Sequence, residues 1–207
     1  MKKKSRKRLA AEELKQLAPL ITQWDMARRS IAALIEGPTS IGELGEAIAF
    51  SIFDIEPARR GQPGHDGHFL SGSLAHKTVN VKTYNSFNWT IDFDPLGRHP
   101  VDYYLVLAGL PQSSAKVTSG NYQKPFAIEH IFLLSHRMLL EGVVASCETR
   151  GARLTADNNP YSLRQEYWLP TEIWPALNNP HPPLILTAQQ RKLLALFSWN
   201  ALSSLEG

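Results

Sequence analysis

Apolar residues recur at helical spacing over residues 10–35, through Leu14, Leu17, Leu20, Ile21, Trp24, Ile31, Leu34 and Ile35. The pattern predicts a helix that Pro19 kinks or divides. Gly37 and Pro38 punctuate the chain after it. A second helix is predicted from about Ser40 to Asp54, opened by a capping box in which Ser40 faces Glu43. Residues 57–72 read as a loop rich in Gly and His. From Thr78 to Tyr84 the period changes to two, with Val79 and Val81 alternating with Asn80 and Lys82, as in a strand. Asn85 and Ser86 predict a turn into a second strand over 89–93. The runs 101–110 and 126–134 are continuously apolar, as expected of strands buried on both faces.

Ser135 is placed to cap a helix running to about Cys147, and Gly151 lies beyond its end. A late strand is predicted at 162–169 and a short helical turn around Trp174. A proline-rich connector spans 178–183. Thr187 and Gln190 form a capping box that opens a final amphipathic helix through Leu193, Leu194, Leu196 and Phe197, expected to reach about residue 204. This order predicts an α/β fold with a central mixed sheet flanked by helices on both faces. Three regions follow. Residues 1–9 form a basic, disordered tail, residues 10–177 the α/β domain, and residues 178–207 a connector and helix packed on that domain.

Composition narrows the classes. With 43% hydrophobic and 20% charged residues among 207, the chain can build a core, and wholesale disorder is excluded. Cys147 is the single cysteine, which excludes an intrachain disulfide and a cysteine-rich zinc module and fits a reducing, cytoplasmic setting. No apolar run approaches the ~20 residues of a membrane span, and no apolar segment follows the basic start, as a secretory signal requires. The net charge of +3 hides an asymmetry. Six of the 22 basic side chains fall in residues 2–8, so the other 16 face 19 acidic groups and the body is acidic. Such a tail suits phosphate contacts, and equally suits a solvated end.

Three features carry candidate chemistry. Glu46 is the sole ionisable residue in the stretch LGEAIAFSIF, where a buried carboxylate needs a partner; an exposed helix edge or an internal salt bridge is the plainer explanation. Asp66 lies in Gly64-His65-Asp66-Gly67-His68, which reads as a tight turn or as a carboxylate displayed by one. Asn80 and Lys82 share a strand face, which is ordinary for a wet face and also suits an amide oxygen and an ammonium acting together. His65, His68 and His76 match no zinc spacing. Arg59 and Arg60 suit either phosphates or solvent, and Tyr84, Phe87 and Trp89 either base stacking or the core.

The succession GELGEAIA, GHDG, VNVKTY and VDYYLVL resembles the PD-(D/E)xK nuclease superfamily, whose fold is restriction-endonuclease-like, over residues 40–110 and more loosely through 126–147. The resemblance matches Glu46 to the helical acid, Asp66 to the motif Asp and Lys82 to the motif Lys. Asn80 stands where the family usually has Glu or Asp, and His65 where it has Pro. The function so implied is metal-dependent phosphodiester hydrolysis of nucleic acid, with double-stranded DNA the expected partner and Mg²⁺, or Mn²⁺, the expected cofactor. Asp66, the Asn80 amide oxygen, the Val81 carbonyl and a phosphate oxygen would share the ion, with Glu46 holding a water or a second ion. With Asn at 80 the ion loses one carboxylate, so weak Mg²⁺ affinity is expected. Two alternatives stand: a catalytically impaired relative that binds nucleic acid or a protein, and an interaction module with oligomerising terminal helices. A homodimer is compatible with each.

Overall fold

The computed structural model describes residues 9–59, 61, 63–87, 90–93, 101–111, 126–149, 165–168, 178, 180, 184–198 and 200–201. The basic tail, the polar loop at 112–125, the turn around Trp174 and most of the proline-rich connector lie outside them.

Helix α1 spans Ala11–Ile35. Glu13 accepts the Ala10 N–H at 2.9 Å, which satisfies one of the amides a helix start leaves over. Pro19 does not divide the helix. It lies on an exposed stretch, where water can take the carbonyl that loses its donor. Glu36 ends the helix in the left-handed conformation (φ 50°). Helix α2 spans Ile41–Phe53, with Ser40 Oγ accepting the Glu43 N–H at 3.3 Å. Its buried residues, Gly45, Ala49, Ile52 and Phe53, lie at helical spacing on one face.

Residues 57–72 are more ordered than their composition predicts. Strand β1 is Ile55–Pro57 and strand β2 is Gly67–Phe69, antiparallel to it with Ile55 opposite Phe69. A short 3₁₀ turn at Gly72–Leu74 follows. Strand β3, Thr78–Phe87, outruns the predicted turn at Asn85 and Ser86. It is followed by strand β4, Thr90–Phe93, and strand β5, Tyr103–Pro111. The extension has a tertiary cause: Ser86 and Phe87 of β3 pair with Leu110 and Pro111 of β5. Strand β6, His130–Ser135, leads directly into helix α3, His136–Thr149, where Ser135 Oγ accepts the Met138 N–H at 3.1 Å. Strand β7 is Gln165–Trp168, and helix α4 is Ala188–Ala195 with the predicted Thr187–Gln190 capping box. Helix α4 stops short of the expected end because Leu196–Ser198 turn, and Ile128 N–H takes the Phe197 carbonyl at 2.8 Å.

The main sheet has the order β1-β2-β3-β5-β6 and is mixed: β3 and β5 are parallel, the other pairs antiparallel. Strands β4 and β7 form a separate antiparallel pair. One face of the sheet presents Val79, Val81, Leu105, Leu107, Ile131 and Leu133 to Ala49, Ile52 and Phe53 of α2 and Leu194 of α4. The alternate positions Tyr104, Val106, Phe132 and Leu134 are also buried, as is Leu139 of α3, which packs back on β6. Burial on both faces explains the unbroken apolar runs in β5 and β6. Among the described residues, no helix is long and apolar enough to cross a membrane.

Candidate functional site

The site begins with how closely α2 lies on β3. A Cβ at Gly45 would overlap the Thr83 side chain, so only glycine allows this approach. The contact sets the height of the next residue, Glu46, above the sheet. It also encloses the Thr83 hydroxyl, which is buried with no hydrogen-bond partner among the described residues.

Asp66 sits where β2 and β3 part. The register Gly67 to Val79, continued by one residue, places Asp66 opposite Asn80. Three backbone bonds fix it. Its N–H donates to the Val79 carbonyl at 2.9 Å and its carbonyl accepts the Ala58 N–H at 2.7 Å. Its carboxylate Oδ2 accepts the Val81 N–H at 2.7 Å, taking over the hydrogen bond that β2 would otherwise supply. The Val81 carbonyl points toward the same edge, since N–H and C=O of a strand residue share a side.

Asp66, Glu46, Glu43, His65, Arg59 and Phe50 are among the residues lining a cleft of about 470 Å³. Burial raises the Asp66 carboxyl above its ordinary value of 3.8. The Val81 N–H and the charges of Lys82 and His65 pull the other way, while Glu43 pushes the value further up.

The structure therefore brings Glu46 and Asp66 to one cleft and ties Asp66 to Val81. Asn80 and Lys82 are placed differently. Val79 and Val81 point into the α2 core, so strand alternation sends Asn80 and Lys82 to the other face. Both are half-buried, and neither lines the cleft. Lys82 still reaches Asp66 as a through-space charge. The Asn80 amide oxygen is buried and has no hydrogen-bond partner among the described residues. It is thus an uncommitted oxygen donor on the residue opposite Asp66.

These residues suit a hydrated oxygen-seeking cation better than a caged one. Among the described residues, no three His, Cys, Asp or Glu side chains converge to hold a metal ion. Mg²⁺ commonly binds through one or two protein carboxylates and completes its shell with water and phosphate, a demand that the Asp66 carboxylate alone can begin to meet.

Sequence reasoning missed Glu43, which it assigned wholly to a capping box. The Glu43 N–H does bond Ser40, but the Glu43 side chain lines the cleft beside Glu46. Their i, i+3 spacing on α2 was the available signal. No family model matches the chain, and no curated protein is similar enough to be matched.

Proposed function

We propose that the protein hydrolyses phosphodiester bonds of nucleic acid, with DNA as substrate and Mg²⁺ or Mn²⁺ as the ion, on a restriction-endonuclease-like α/β framework. The observation that supports this best is the pinned carboxylate of Asp66: buried in part, bonded to Val81, sharing a cleft with Glu46 and felt by the Lys82 charge. Asp66 and the Val81 carbonyl would hold the ion at the strand edge, and the Asn80 amide oxygen, on the other face of β3, would join them around that edge. When bound, it would polarise a phosphate oxygen and lower the pKa of a coordinated water. Lys82 would offset negative charge developing on the phosphate, and Glu46 would orient water from the α2 side. Burial of Asp66 supports cation binding, since a carboxylate held partly out of water gains when a cation neutralises it.

The test is incubation of plasmid and oligonucleotide DNA with the purified protein and either ion. Wild type should cut. Lys82→Ala should lower the rate by at least about 100-fold, the scale of losing one charge-stabilising group, while keeping the wild-type circular dichroism spectrum. Intact DNA under every ion condition defeats the hydrolytic reading.

Asn80 favours a second reading, a relative of the same fold that binds nucleic acid without cutting it, because the amide leaves the ion one charge short. That protein would retard DNA in a salt-dependent manner and leave it whole.

A further inference from the structure

Helix α1 carries an apolar stripe that the described chain covers only in part, at the end nearer α2. Leu14, Leu17, Ile21, Trp24, Ile31 and Ile35, with Arg28 between Trp24 and Ile31, follow one another in alternating steps of three and four residues. That is the seven-residue repeat of a helix seated against another helix. No residue of α1 is buried. Leu14 is 52% exposed, Ile21 51% and Trp24 62%. Ile31 and Ile35, half-buried, lie at the end nearer α2. Pro19 falls on the outermost position of the repeat, away from the stripe, where a missing N–H is tolerated.

We propose that a second copy of this chain covers the stripe, α1 against α1 in antiparallel orientation. This proposal is independent of the hydrolytic reading. The repeat calls for a long helix, and the described chain offers none. Helices α2 and α4 commit residues to the core, and α3 packs on β6 and β7.

Charge selects the orientation. A parallel pair would set Arg28 against Arg28 and bring both six-charge basic tails to one end. An antiparallel pair sets Arg28 beside Leu17 of the second copy and Ile21 beside its Trp24. It parts the tails and sets each Arg28 against an apolar neighbour instead of a like charge. Arg28 is shaped for such a layer, its guanidinium lying 5.0 Å over the Trp24 ring and 3.3 Å from Asp25. A helix of 25 residues is about 37 Å long. Two such stripes would remove on the order of 1,000 Å² from water, the lower bound for a specific interface.

Sedimentation equilibrium of the full chain tests the interface. The expected particle has twice the 23.2 kDa chain mass. Ile21→Glu with Trp24→Glu should weaken association at least about 100-fold while leaving circular dichroism unchanged, since both side chains are exposed. Gln23→Glu, on the outer face, should stay dimeric. A wild-type monomer at about 100 μM, or a doubly substituted chain that remains dimeric, overturns the proposal. Orientation is read in a Cys147→Ser background. Leu17→Cys mixed with Arg28→Cys should form a mixed disulfide, whereas self-pairing of Leu17→Cys alone overturns the antiparallel arrangement.

Discussion

Two aspartates grip β3 from different sides, and they are built to opposite specifications. Asp102, just before β5, is saturated. Its Oδ2 accepts the Thr78 N–H at 2.9 Å and the Thr78 hydroxyl at 3.0 Å, its Oδ1 lies 3.2 Å from the Lys77 ammonium, and its own N–H donates to the Thr78 hydroxyl at 2.9 Å. Burial pulls its carboxyl up, yet the Thr78 N–H, Lys77 and the Thr78 hydroxyl outweigh it, and the value lies below the ordinary 3.8. Asp66 is buried more deeply but receives one N–H, and burial wins. One carboxylate spends its hydrogen-bonding capacity on locking β5 to β3. The other keeps capacity in reserve beside a cleft, at the expense of its own ionised form. A carboxyl perturbed by burial at the side of a cleft is a candidate for function on physical grounds.

The comparison breaks if the two substitutions behave alike. The largest expected effect on stability is at Asp102. Asp102→Ala strands the Thr78 N–H and hydroxyl and should destabilise the fold by about 1–3 kcal/mol in urea titrations. The half-exposed pair with Lys77 contributes little of that. DNA cleavage by the folded fraction should be unchanged. Asp66→Asn should have the opposite sign. It keeps an acceptor for Val81 and removes a charge that burial opposes, so stability near neutral pH should rise by up to about 1 kcal/mol while cleavage is lost. A fall in stability of the size seen at Asp102 would make Asp66 another structural clamp.

The smallest effect is the pH dependence of these differences. Asp66 has a raised folded value, so its unfavourable contribution sets in as pH rises from 3.8 through that value. The gain from Asp66→Asn should therefore be full near neutrality and fade on acidification before pH 3.8 is passed. Asp102 has a lowered folded value, so its stabilisation is full above 3.8 and is lost as pH falls through the folded value. The penalty of Asp102→Ala should persist to lower pH than the Asp66→Asn gain. Thermal melts across pH 2.5–7, within the range about these carboxyl values, separate the two.

Much of the framework is legible in the sequence because local and tertiary preferences agree there. Ser40 and the spacing of Gly45, Ala49, Ile52 and Phe53 announce α2, and the apolar runs around Leu105 and Leu133 announce strands covered on both faces. The failures share a cause, which is long-range pairing. Strands β1 and β2 have three residues each, too few for a period to register, and they exist because β2 is held between β1 and β3. Asn85 and Ser86 have turn chemistry, but pairing with the far end of β5 keeps the strand going. At the site, Glu46 is legible as the lone charge among apolar residues, with an exposed edge or a salt bridge as its plainer explanation, and the structure places it in the cleft. The bond from Val81 to Asp66, and the placement of Asn80 and Lys82 around the strand from α2, depend on where β2 leaves β3. No spacing in the chain encodes that point of departure.

The glycine under α2 has a consequence for how this protein can diverge. Because residue 45 has no side chain and Thr83 fills the gap, their two volumes are one quantity shared between helix and sheet. Drift at either position is admissible only when the other yields space. In related chains the pair should covary in size, with anything bulkier than glycine at 45 accompanied by glycine at 83, because the Thr83 Cβ alone would lie 2.6 Å from a Cβ at 45.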